Sequence, residues 1–191
     1  MTTLVEGLIY QAGWLTPGQQ RELLSGIDAE VWSSALRRRV QHYGHRYDYG
    51  RRAVTAADSA PPLPVWSQAL AARLHREGFM ADLANQAIVN EYLPGQGISA
   101  HVDCVPCFGP QVAAISIGSA CTMDFSDPDN GERVPVRLEP GSLCVMTGAA
   151  RYRWRHAIAA RKSDPTPTGR QPRGRRVSIT FRTVLSAATS G

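Results

Sequence analysis

The alternation of apolar and polar positions changes character near residue 86. Before that point, two segments carry helical periodicity. Thr16 followed by Pro17 reads as a cap and first helical position, and Leu23, Leu24 and Ile27 form the apolar stripe of the helix that follows. Pro64 opens a second helix, in which Trp66, Leu70 and Leu74 recur at four-residue spacing and Gly78 is placed to end it in a left-handed conformation. From Ala87 onward the chain is written as short β-like runs: AIVNEY, VAAISIG, CTMDF, VPVRL, SLCVMT, YRWRHAI and RVSITFRTV, separated by Gly, Pro, Asp and Asn. Short strands behind two helices predict a mainly β fold with N-terminal helices, a double-stranded β-helix of the jelly-roll type with helices packed on one sheet. No helical pattern separates the later strands, which disfavours a doubly wound α/β sheet.

A chain of 191 residues buries one substantial core but not two ordinary domains. A single domain over 1–191 is expected, with a helical and substrate-lid region at 1–86 and the β core at 87–184. The first residues lack the basic start and apolar run of a secretory signal, and no stretch stays apolar for the ~20 residues of a membrane span. A cytoplasmic monomer without membrane contact is the expectation. Cys104, Cys107, Cys121 and Cys144 are expected as reduced thiols, because the lone C-x-x-C has no second ligand pair for zinc. Residues 160–175, ARKSDPTPTGRQPRGR, are too rich in Pro, Gly and Arg to build a core and predict a mobile loop.

The formal charge of +5 is mild, but its distribution is uneven. Ten of the 21 Lys and Arg residues lie between Arg151 and Arg182, where Asp164 is the only acid, and six more lie between Arg37 and Arg52. Such clustering fits a nucleic-acid partner, DNA or transfer RNA; a solvated basic face fits charge alone equally well. In HYGHRYDYGRR, residues 42–52, aromatic rings alternate with arginines, which nominates Tyr43, Arg46, Tyr47, Tyr49, Arg51 and Arg52 for stacking an extruded base and meeting phosphate. A polar hairpin whose tyrosines cover the core is the other reading.

The candidate chemistry lies in the β region. On extended backbone, His101 and Asp103 project from one face, and His156 lies on another expected strand. Two imidazoles and a carboxylate on one face of an octahedron suit iron(II) with three open positions, although such a trio also arises by chance around a core histidine. Arg176 and Arg182, six residues apart in RVSITFR, share a strand face with Ser178 and Thr180 and offer guanidinium forks for a dicarboxylate. Asn90 and Tyr92 can add hydrogen bonds from a neighbouring strand. Trp154, two residues before His156, is expected on that ligand's face as a pocket wall, or in the core.

The segments NEYLPGQGISAHVD, RYRWRH and RVSITFR resemble the AlkB-like dioxygenases, whose pattern is N-x-Y-x-x-G-x-x-I-x-x-H-x-D, a distal His, and R-x-x-x-x-x-R. The resemblance covers residues 87 to 184. It implies iron at His101, Asp103 and His156, 2-oxoglutarate at Asn90, Tyr92, Arg176 and Arg182, and oxidative demethylation or hydroxylation of a modified nucleobase. An oxygenase acting on a protein side chain or small metabolite is the alternative. SIGSACTMDFSDP and VMTGAARYRWRH are most similar to the AlkB domain of the animal transfer-RNA wobble-uridine hydroxylases. Val105 stands where the founding repair enzymes of the family carry an acidic residue that reads the damaged base.

Overall fold

The computed structural model describes residues 5–34, 37–48, 54 and 60–185. In chain order its elements are β1 (Leu8–Gln11), α1 (Pro17–Asp28), β2 (Val40–Tyr43), α2 (Val65–Arg76), β3 (Gln86–Tyr92), β4 (Ile98–His101), β5 (Phe108–Gly118), β6 (Cys121–Ser126), β7 (Arg133–Leu138), β8 (Leu143–Met146), α3 (Gly148–Tyr152), β9 (Arg155–Ile158), β10 (Ser163–Thr166), β11 (Gly169–Pro172) and β12 (Arg176–Val184). Thr16 caps α1 in both directions: its hydroxyl accepts from Gln19 N at 3.3 Å, and its own N–H donates to Gln19 Oε1 at 2.9 Å. Leu23 and Ile27 of α1, and Leu70, Ala71 and Leu74 of α2, are buried as their spacing required. Gly78 follows α2 with φ 78°, a region that disfavours any residue with a Cβ. No helix among the described residues is long and apolar enough to cross a membrane.

The strands form a mainly β jelly roll of two antiparallel sheets. The larger is six-stranded, in the order β1-β8-β5-β12-β3-β2, and the smaller is four-stranded, in the order β4-β9-β6-β7. Strand alternation divides the interior into two cores. Val177, Ile179 and Phe181 of β12 pack with Leu23, Ile27, Leu70 and Leu74, so the helices cover one face of the larger sheet. Val112, Met123, Phe125, Met146 and Ile158, drawn from both sheets, form the second core.

Four expectations are corrected. The N-terminal region is helical only in part, because β1 and β2 supply both edges of the larger sheet. The YRWRHAI run is a strand only from Arg155; Tyr152 ends α3. Cys104 and Cys107 are not reduced thiols but a disulfide, formed where a turn brings Cys107 N to Cys104 O at 3.3 Å, while Cys121 and Cys144 are free and buried. Residues 160–175 are an ordered hairpin, β10 paired with β11, instead of a loose loop.

One acid organises that hairpin. Asp164 is fully buried and accepts from Arg173 Nε at 2.6 Å, Arg173 Nη2 at 2.7 Å, Arg161 Nε at 2.8 Å and Thr122 N at 3.2 Å. Burial works to raise its pKa, but Arg173 and Arg161 hold it down to about 2. A depressed carboxylate stabilises the fold in full above its unfolded value and loses that contribution as pH falls through its folded value. Asp164→Ala is therefore expected to cost about 3–5 kcal/mol in urea unfolding at pH 7, since it strands buried guanidinium groups. The difference between wild type and variant should shrink as pH falls from about 4 toward 2; a gap independent of pH would contradict the ionised assignment.

Candidate active site

The site begins with a close approach of two backbones. Gly95, with φ 91°, turns the chain into β4, and Gly97 then passes so near β9 that a Cβ would fall on the Ile158 carbonyl. That approach lets β4 pair with β9 in a register that sets His101 opposite His156, with ring centroids 4.3 Å apart. Asp103 lies in the turn after β4, its Oδ1 3.7 Å from His101 Nε2. One ligand atom from each of the three lies within 4.8 Å of the others. His101 Nδ1 sits 2.8 Å from Ser99 O. A carbonyl can only accept, so Nδ1 carries the proton and Nε2 keeps its lone pair.

Electrostatics keep Asp103 and His156 in a ligand's protonation state. Burial pushes the His156 imidazole down to about 4, against the pull of Asp103 in the other direction. Burial also works to neutralise Asp103, but Arg182, His156 and His101 hold its carboxyl well below the usual range. Arg182 grips that carboxylate from the other side, Nη2 to Oδ1 at 3.2 Å and Nε to Oδ2 at 3.3 Å. One carboxylate and two imidazoles are a donor set that suits iron(II).

Arg176, Ser178, Thr180 and Arg182 occupy the face of β12 opposite its apolar residues. With Asn90 and Tyr92 of β3 and the His-Asp-His trio, they line one cavity. Arg176 is 2% exposed and uses Nη2 to bond Ser116 Oγ at 2.8 Å, while its Nε and Nη1 are buried without a partner. A buried guanidinium with free N–H groups beside an inward cavity fits an anionic ligand such as the carboxylate of 2-oxoglutarate. Asn90 accepts from Arg38 Nε at 2.9 Å, and the Tyr92 ring lies 5.3 Å from the Arg176 guanidinium. Burial raises the Tyr92 phenol above its ordinary pKa, which keeps it a proton donor.

Outside this cavity a wider cleft opens on His101 and Asp103 and is lined by Arg38, Tyr47, Phe108, Arg155 and Arg182, among others. The nominated substrate residues divide across it. Tyr47 lines the cleft, with its ring 5.7 Å from that of Phe108. Arg46 is exposed to solvent but does not line it. Tyr43 belongs to the core instead: it is 5% exposed, packs edge-on to Trp66 at 5.9 Å, and donates its hydroxyl to Gln41. Trp154 is a core residue too, because α3 ends just before it and it never joins the extended strand that would have aimed it at the pocket. Tyr49, Arg51 and Arg52 lie outside the described residues.

Sequence reasoning missed Arg38, Phe108, Arg151 and Arg155. Arg38 sat in a counted basic run, and Arg155 adjoins His156, so their positions carried a signal. Arg151 bounded the other counted basic run, but nothing marked it as buried, and Phe108 carried no signal, because its place at the cleft depends on how the start of β5 packs against the site. Part of the counted charge is also spent inside the protein: Glu91 accepts from Arg39 and Arg175 at 2.6 Å each, and Asp28 accepts from Arg175 at 2.8 Å.

Comparison with known proteins agrees with this geometry. The family model described as 2OG-Fe(II) oxygenase superfamily matches residues 7–182. A Xenopus tropicalis protein named tRNA (carboxymethyluridine(34)-5-O)-methyltransferase alkbh8 is 36% identical over 171 residues, which is 85% of this chain but only 26% of that protein. The Bos taurus alpha-ketoglutarate-dependent dioxygenase alkB homolog 7, mitochondrial, is 28% identical over 190 residues, covering 96% of this chain and 81% of the relative. The structure of OsALKBH1 superposes with a TM-score of 0.70 at 15% identity, over 93% of this chain and 98% of that one, which shows the shared fold.

In the metal-free protein the His156 imidazole is expected to titrate near 4, below its ordinary 6.5. Its contribution to stability is then complete above pH ~6.5 and declines as pH falls toward 4. Imidazole NMR shifts followed through a pH series check this, and a midpoint at or above the ordinary value would contradict the burial.

Proposed function

The chain belongs to the 2OG-Fe(II) oxygenase superfamily and is an iron(II)- and 2-oxoglutarate-dependent dioxygenase, and from that premise we propose that it hydroxylates or oxidatively demethylates a modified nucleobase, with transfer RNA favoured over DNA. The observation that carries this reading is the cleft in front of His101 and Asp103, where Arg38 and Arg155 stand with Tyr47 and Phe108. Arginines suit phosphate and aromatic faces suit an unstacked base, while a cleft of this width admits a nucleotide extruded from its strand. The relative that acts on tRNA by name, aligned over 85% of this chain, supports RNA as the first choice.

In this reading His101, Asp103 and His156 hold the iron. Arg176 receives the distal carboxylate of 2-oxoglutarate through its unpartnered Nε and Nη1, and Arg182, Asn90 and Tyr92 complete the pocket. Bound iron and 2-oxoglutarate together supply dioxygen activation: the oxo-acid becomes succinate and carbon dioxide, one oxygen atom goes to succinate and the other enters a C–H bond of the substrate. The protein's share is orientation. The arginines fix the oxo-acid against the metal ligands, the apolar side chains of Met123, Met146 and Ile158 exclude water from the inner cavity, and the cleft presents one C–H bond to it. An N-methyl group hydroxylated there releases formaldehyde, whereas a carbon-linked substituent keeps its new hydroxyl.

A second reading, oxidation of a protein side chain or small metabolite, is favoured by the internal pairing of Arg39, Arg161, Arg173 and Arg175, which leaves less basic surface than the sequence count suggests. Succinate release measured on modified transfer RNA, single-stranded DNA and peptides separates the readings.

Two outcomes are expected. Asp103→Ala or His101→Ala should abolish succinate release, because two ligands do not make the facial site; full turnover in either variant would refute the metal assignment. Binding of transfer RNA should weaken steeply with salt, and Arg38→Ala or Arg155→Ala should each flatten the log–log salt slope by about 0.7–0.9. Negligible affinity at low salt, or a slope indifferent to both substitutions, would move the substrate to protein or metabolite.

A further inference from the structure

Arg151 heads the fully buried side chains, at 2% exposure, and the chemistry above gives it no task. It projects from α3, which is tied to the segment before β1: Thr147 N and Oγ1 donate to Gly7 O at 2.8 and 2.9 Å, and Ala150 N donates to Glu6 O at 2.9 Å. The guanidinium donates to four main-chain carbonyls of one loop, those of Asp103 at 2.9 Å, Cys104 at 3.3 Å, Phe108 at 3.2 Å and Gly109 at 3.2 Å. Another carbonyl of that loop, Cys107 O, accepts from Leu185 N at 2.9 Å. Carbonyls turned inward together cannot bond one another, and only a planar fork of five N–H groups reaches both ends of the loop at once.

Two of those four carbonyls belong to residues of the site. Asp103 presents its carboxylate to His101 and His156. Phe108 sets its ring 4.8 Å from the Arg182 guanidinium, which in turn grips the Asp103 carboxylate. The Asp103 backbone and the arginine that orients its side chain therefore both lean on the same buried cation. We propose that Arg151 is a positioning residue that holds Asp103 in its metal-binding geometry, an inference that rests on Asp103 being an iron ligand. Lysine at this position keeps the charge but brings three donors on a flexible stem, so it cannot satisfy both ends of the loop.

The test is an anaerobic titration of the metal-free protein with Co(II), read from its visible absorption, with thermal denaturation alongside. Arg151→Lys is expected to bind Co(II) about tenfold or more weakly than wild type. Leu74→Ala, in the core between helices and sheet, should lose stability while keeping wild-type affinity and absorption. Added guanidinium should restore part of the affinity of Arg151→Ala. An Arg151→Lys affinity within about twofold of wild type, whatever its melting temperature, would overturn the proposal. If Arg151→Lys does not fold, Thr147→Val reads the same linkage more gently: it loosens α3 from Gly7 without removing a buried charge, so a smaller loss of Co(II) affinity supports the proposal and an unchanged affinity overturns it. Wild type that binds no Co(II), or Asp103→Ala that binds it as wild type does, defeats the metal reading itself and this inference with it.

Discussion

Strand β12 is hydrogen-bonded along both edges, to β3 and to β5, so its side chains can go only to the two faces of the sheet. Val177, Ile179 and Phe181 take the face that the helices cover, and Arg176, Ser178, Thr180 and Arg182 take the other. A slip of one residue in that register would bury two arginines under α1 and α2 and empty the cavity of its cations. Three further site residues are set against this strand: Asn90 faces Ser178 and Tyr92 faces Arg176 across the β3 pairing, and Asp103 is held by Arg182.

A site built this way gathers charge in a place that resists it. Asp103, His156, Arg176 and Arg151 are all nearly inaccessible to water, and each meets the resulting cost differently. Asp103 stays ionised because Arg182 faces it, and His156 sheds its proton because burial outweighs the nearby carboxylate. Arg151 spreads its charge over four carbonyl dipoles. Arg176 instead keeps Nε and Nη1 buried without a partner.

The same contrast runs over the surface. Glu91 and Asp164 are two buried acids that collect arginines: Arg39 and Arg175 join Glu91 of β3 to the chain around α1 and β2, and Arg137, Arg161 and Arg173 gather on Asp164, which the Thr122 N–H of β6 also binds. Those cations are structural members of the fold. Arg38 and Arg155 line the cleft instead.

The sequence by itself determined what depends on neighbours in the chain. Helix α1 was legible from a cap and a stripe, α2 from a stripe and a terminating glycine, and most β-core strands from alternation, whereas α3 was read as part of a strand. Arg176 and Arg182 were legible as a pair because strand parity alone sets which side chains share a face; His101 and Asp103 were legible by spacing, but β4 ends at His101, and it is the chain beyond the strand that brings Asp103 to it. The tertiary structure decided what depends on residues distant in sequence. Tyr43 and Trp154 look like substrate contacts on an extended strand, yet the core takes them, since burial of an aromatic ring is set by what packs against it. The run 160–175 reads as a loose basic loop, and one buried aspartate makes it a hairpin. Arg151 could not be read at all: its partners are carbonyl oxygens, which every residue carries, and no side-chain pattern records which of them will turn inward.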